Sequence, residues 1–211
     1  MPEWVAEVAT LLTGALLLGY ELALLRALRL APQRTARSAH AELRADWFAA
    51  ISAQPGSEIL AVQTLRNALM AATLTASTSV LGLAGAVGMA APSLHAALSQ
   101  AAPALPGLQL AMELWLLGLL CSSFIASAMA LRFFNHAGFI AGMPVASTQR
   151  QRWAASGAIY LRRAGLFYSW GLRHLMLVPP VLAALVHPLI GLVAALATVA
   201  LLFAFDRVGA N

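Results

Sequence analysis

Four long apolar stretches, at about residues 4–25, 68–90, 108–131 and 175–205, constrain this chain more than any motif in it. A helix rises about 1.5 Å per residue, so roughly 20 apolar residues cross the hydrocarbon core of a bilayer, about 30 Å thick. A soluble domain of 211 residues has no use for four such runs. Hydrophobic residues make up 61% of the chain and charged residues 10%, in keeping with burial in lipid. The expected fold class is an all-α integral membrane protein: a bundle of four transmembrane helices, with five possible, and an amphipathic helix on the cytoplasmic side. Residues 1–211 read as a single polytopic membrane domain.

The charges orient the bundle. All 13 basic residues are Arg, which together with abundant Ala reads as the codon usage of a GC-rich bacterial genome. The net charge of +5 would suggest nucleic acid in a soluble protein. In a membrane protein the positive-inside rule accounts for it, and no nucleic-acid partner is expected. Glu3 and Glu7 precede the first apolar run, and Arg26, Arg29, Arg34 and Arg37 follow it. An acidic start is wrong for a cleavable signal peptide. Residues 91–107 hold no charge beyond His95, whereas residues 132–163 hold Arg132, Arg150, Arg152, Arg162 and Arg163. The N-terminus is therefore expected in the periplasm and the Arg-rich loops in the cytoplasm, across a bacterial inner membrane. Cys121 is the only cysteine, which excludes an intramolecular disulfide and a thiolate cluster.

The connections carry their own signals. Ala36, Ala39, Leu43, Trp47 and Ile51 fall at helical spacing and predict an amphipathic helix over 35–52. Gln54-Pro55-Gly56-Ser57 breaks it, with Ser57 expected to cap the next helix and Glu58 to suit its positive end. Pro103, Pro106 and Gly107 are expected to start the third span. The fourth stretch is too long for one ordinary crossing and is interrupted at Pro179-Pro180 and His187-Pro188. The expected solution is a cytoplasmic-side helix over about 156–178 and one kinked crossing over 181–205. Phe205-Asp206 would then lie at the periplasmic surface. A turn at His187-Pro188 is the alternative and would add a fifth span.

Three segments carry a family resemblance. They are Ala61-Val62-Gln63-Thr64-Leu65-Arg66-Asn67-Ala68-Leu69-Met70-Ala71-Ala72-Thr73, Arg132-Phe133-Phe134-Asn135-His136-Ala137-Gly138-Phe139, and Tyr168-Ser169-Trp170-Gly171-Leu172-Arg173. In this order and spacing the chain, over roughly residues 40–206, resembles the membrane-protein family catalogued as domain of unknown function 599, found in bacteria and plants. The resemblance implies a polytopic helical protein and brings no activity with it.

Ionisable groups at the edges of apolar spans mark functional candidates, because hydrocarbon makes them costly. Glu21, Arg66, Arg132, Asn135, His136, Arg173 and His174 are expected to gather at one depth as a charged cytoplasmic ring, either a vestibule or a structural ion-pair network. Thr64, Asn67, Ala71, Thr75, Thr78, Gly82 and Gly85 recur at steps of three and four along the second span. That small, polar stripe suits either a pore lining or close helix packing, as do Gly118 with Ser122 and Ser123 with Ser127 on the third. Glu113 is expected to reach water at the outer interface, with a proton or cation site as the other reading.

No nucleophile elbow, phosphate loop, paired metal ligands or haem-attachment motif is present, so no catalytic residue, cofactor or metal site is expected. The expected function is an oligomeric channel or small-ion or solute transporter with a charged cytoplasmic mouth near Arg66 and Asn67, anions being favoured there. The alternative is a non-catalytic membrane scaffold or assembly subunit, with an intramembrane lipid enzyme a distant third. The expected partners are the lipid bilayer, further copies of the chain and a small ion or solute.

Overall fold

The computed structural model describes residues 2–30, 36–99 and 107–207; Arg34, Pro103 and Pro106 lie outside them. The described residues form seven helices and no strand: α1 (Glu3–Leu30), α2 (Ala36–Ala53), α3 (Glu58–Ser99), α4 (Leu108–Ala141), α5 (Thr148–Met176), α6 (Val178–Val186) and α7 (Pro188–Arg207). Five segments are long and apolar enough to cross a membrane: Glu3–Leu30, Glu58–Ser99, Leu108–Ala141, Thr148–Val186 and Pro188–Asp206. The chain is an all-α, multi-pass membrane protein.

Helix length splits the molecule into two storeys. The 42 residues of α3 extend about 63 Å and the 34 of α4 about 51 Å, against about 30 Å of hydrocarbon. Both helices therefore run well past the apolar stretches that announced them. In the charge-poor storey, Leu17, Leu116, Leu120, Leu177, Val181 and Ala195 form one buried core. In the Arg-rich storey, Phe48, Ile51, Leu65, Phe134, Ile140 and Leu161 form another.

Residues 181–205 are not one kinked crossing. Pro179 and Pro180 open α6, where a missing N–H removes no helical bond. The backbone N–H of Leu177 still bonds the carbonyls of Arg173 and His174, so α6 stacks on the end of α5. The break comes ten residues later. Pro188 forces its predecessor out of the helical region, and His187 is extended at φ −155°, ψ 118°. The chain then reverses, and Gly191 approaches Ala184 so closely that a Cβ would overlap its backbone. Helix α7 returns beside α1 and brings Asp206 against Tyr20 and Arg173 at the Arg-rich end, not at the opposite surface.

The Arg-rich storey is bolted by buried polar contacts. Arg150, 1% exposed, donates to the Ile140 carbonyl and to Ser52 Oγ (2.9 Å), with its guanidinium 5.1 Å from the Phe48 ring centre. That ties the α4–α5 connection to α2. Ser57 does not cap α3 through its side chain; its hydroxyl donates back to the carbonyls of Ile51 and Gln54, both at 2.7 Å, and closes the end of α2. Gly56 makes the turn at φ +86°, a conformation that side chains disfavour. The Glu58 carboxylate accepts the Val145 N–H at 2.9 Å. Helix α2 buries Ala36, Ala41, Phe48 and Ile51, while Leu43 is 63% exposed. Its packed face is thus rotated from the expected one, because Phe48 rather than Leu43 meets Gly157 of α5.

Helices α4 and α5 meet at Gly171, where an added Cβ would overlap Ser127 Oγ and crowd the Ser123 backbone. Small residues permit such approach in lipid, where packing and hydrogen bonds replace the hydrophobic drive between helices. Gly171→Ala should lower stability in detergent by about 1–3 kcal/mol through overpacking. Gly85→Ala, with nothing within 4 Å of the added methyl, should be neutral or stabilising by up to about 1 kcal/mol from helix propensity alone. Thermal denaturation of the two variants checks this; equal shifts would mean that the Gly171 contact does not hold α4 to α5.

Candidate functional site

Three helices contribute to a polar cluster inside the bundle. Arg173 Nη2 on α5 lies 2.5 Å from Asp206 Oδ1 on α7, and Tyr20 Oη on α1 donates to Asp206 Oδ2 at 2.9 Å. The Arg173 guanidinium stands 5.8 Å from the Tyr20 ring centre, and that ring meets Phe203 edge-on at 5.1 Å. Beside them Glu21 Oε1 faces His174 Nε2 at 3.8 Å, and His174 lies on Trp170. Charges in an apolar bundle persist only when paired, and here both Asp206 oxygens are engaged. Arg173 Nη1 is left buried with no hydrogen-bond partner.

Arg173 and Asp206 form part of the wall of a cavity of about 390 Å³ between α2, α5 and α7. His40, Arg44 and Ser169 add polar groups, and Leu172, Leu202 and Phe205 supply an apolar side. A neighbouring cavity of about 370 Å³ shares Arg44 and Tyr168 and reaches Thr64, Leu65 and Phe134. Arg44 therefore stands at the junction. Its guanidinium lies on Gly165, where a Cβ would overlap it, and Nη1 donates to the His40 carbonyl at 3.2 Å. Among the described residues it forms no ion pair. Burial pulls the Arg44 guanidinium below its usual range. A desolvated cation without an acid partner is stabilised by any anion that reaches it.

The expected charged ring is two groups at different depths. Ser123 of α4 lies against Gly171 of α5, and Phe133 stacks on Phe167 and packs against Tyr160. Arg132 is thus level with about residue 163, and Arg173 lies about ten residues, or 15 Å, deeper. Glu21, Arg173 and His174 belong to the inner group. Arg66 and Asn135 line a separate cavity of about 390 Å³ on the α3–α4 face. His136 packs on Tyr160, so His136 and His174 do not meet.

The stripe on α3 divides as well. Thr75 is buried and donates to the Ala71 carbonyl, and Gly82 receives Leu120 of α4. Asn67 and Thr78 are exposed on the outside of the bundle, and Thr64, also exposed, borders the cavity of about 370 Å³ beside Arg44. Leu116, Leu119 and Leu120 fill the interior between α3, α4 and the remaining helices. The stripe lines no lumen within one chain. Glu113 does not reach water: it is 2% exposed, between Ser93 and Gln109.

Tyr20, Arg44 and Asp206 were not among the expected site residues, and Asp206 was expected at the opposite surface. A signal for Arg44 was present in Gly157 and Gly165 of α5, small positions that mark where α2 comes close; none was present for Tyr20 and Asp206. A family model described as "Protein of unknown function, DUF599" matches residues 8–210. No curated protein and no solved structure matches the chain.

Proposed function

The chain belongs to the DUF599 family of proteins of unknown function, and on that premise we propose that it is a transporter for a small anionic solute in a bacterial inner membrane. The observation that carries this reading is Arg44, half-buried, without an acid partner among the described residues, at the junction of two cavities, one of which also presents Arg173 and Ser169. A cavity of about 390 Å³ falls within the range of small-molecule sites. Arg173 is neutralised by Asp206 in the same wall, so the Arg44 guanidinium is the charge that attracts anions, and its field is strong in a low-dielectric wall. The packed leucines at 116, 119 and 120 favour a carrier that changes conformation over an open channel through one chain.

The test is uptake of labelled phosphate, chloride or a short carboxylate into vesicles holding the purified protein. Arg44→Ala should reduce uptake about tenfold or more, the loss of one charge contact of about 1.4 kcal/mol. Arg66→Ala should leave uptake unchanged, since Arg66 opens onto a different cavity. Loss with Arg66→Ala alone would move the path to a groove between copies. No uptake above empty vesicles for any of these anions would remove transport and favour the scaffold reading.

The cytoplasmic side of this proposal is the Arg-rich end, by the positive-inside rule, with the N-terminus periplasmic and α7 returning to the cytoplasm. With Cys121 replaced by Ala, a cysteine at Leu98 should react with an impermeant thiol reagent in intact cells, and one at Thr148 should not. The reverse pattern inverts the orientation.

The scaffold reading has its own support in the exposed small residues Thr78 and Gly85 on α3 and Gly118 and Ser122 on α4. Lipid-facing small residues let a second copy pack closely, so a homo-oligomer is part of the proposal. Thr78→Leu should weaken assembly while leaving the monomer folded. Native mass analysis reads this directly, and a monomeric wild type would remove the oligomer.

A further inference from the structure

The charge-poor storey contains a buried carboxyl with no cation to balance it. Glu113 is 2% exposed; its Oε1 accepts from Gln109 Nε2 at 3.0 Å and from Ser93 Oγ at 3.3 Å. Its Oε2 is buried with no hydrogen-bond partner. Among the described residues none supplies a counter-charge here. Residues 1–25, 67–131 and 174–206 contain no Arg, and the chain has no Lys. The acids Glu3 and Glu7 stand at the exposed start of α1, so this end of the bundle is acidic. His95 and His187 are exposed and form no ion pair among the described residues. A carboxylate buried without a partner costs several kcal/mol, which leaves the surrounding medium to provide the cation.

We propose that Glu113, with Ser93 and Gln109, forms a Na+ site between α3 and α4. One negative charge selects a monovalent ion, because a divalent one would leave a net positive charge in the apolar bundle. The donor atoms are two carboxylate oxygens, a hydroxyl and a side-chain amide whose oxygen and nitrogen exchange by a flip. These are hard oxygens, the set that alkali and alkaline-earth ions take. A proton needs one of them only. The site would bind Na+ whether or not the Arg44 cavity moves an anion.

The test uses the whole protein in detergent, in choline chloride buffer, with dicyclohexylcarbodiimide as the carboxyl probe and the Glu113 peptide read by mass spectrometry. NaCl should suppress the adduct saturably, while further choline chloride should not. NaCl should also raise Tm, and Glu113→Gln should abolish both the adduct and the Tm rise. Ser93→Ala, which keeps the carboxyl, should move half-protection to about tenfold higher Na+, the loss of one oxygen ligand. An adduct that forms equally with and without NaCl would overturn the site in favour of a carboxyl that exchanges only protons. No adduct together with a Tm indifferent to NaCl would overturn it in favour of a purely structural carboxyl.

Discussion

The approach of α4 to α5 at Gly171 sets the register of the whole bundle. Ser123 Oγ donates to the Gly171 carbonyl at 2.7 Å and lies 2.8 Å from Ser79 Oγ, so one buried hydroxyl links α3, α4 and α5. A side chain at position 171 would separate the helices and break that link. With the register fixed, Arg173 comes level with Tyr20 and, once α7 has turned back, with Asp206. Farther along α5, Gly165 and Gly157 receive Arg44 and Phe48 of α2. The same small positions that hold the bundle together also set Arg44 beside its cavities.

The two ends of the molecule are chemically opposed. The Arg-rich end has hollows, guanidinium groups and a second core built largely outside the apolar stretches. The charge-poor end has a buried acid and no Arg. Between them, Leu116, Leu119 and Leu120 are buried in one hydrophobic core. An anion at one end and a cation at the other, as proposed, would need no continuous aqueous path. Movement of either across the bilayer would require the packed leucines to rearrange, which is the work of a carrier.

Much of this could be read from the chain. Apolar length announced α1, α3, α4 and α7, since a run of sufficient length has few other ways to satisfy its backbone. The span-length segment Thr148–Val186 was expected only as a helix on the cytoplasmic side, because its first half carries Arg and its apolar half was counted with α7. The acid-before, Arg-after order at α1 gave a polarity to the bundle, and the spacing of residues 35–52 gave an amphipathic α2. The depth of the charged residues was not legible in the same way. Apolarity ends at about residue 131, but α4 continues to Ala141 because Phe134, Ala137 and Ile140 find partners in α2 and α5. Counting depth from the end of the apolar run therefore set Arg132 and Arg173 side by side, when about ten residues of helix separate their levels.

The sequence by itself determined that this chain is helical, that it spans a membrane several times, and that its Arg residues lie toward one end. These follow from composition and local order, which act on each segment separately. Only the tertiary structure decided that His187 is a reversal, that Asp206 meets Arg173, that Arg44 has no acid beside it among the described residues and that Glu113 is buried. Each of those depends on which face of one helix meets which face of another. Residues as far apart as Tyr20 and Asp206 become neighbours only when glycine and serine positions on separate helices find each other, and no local pattern in the chain encodes that pairing.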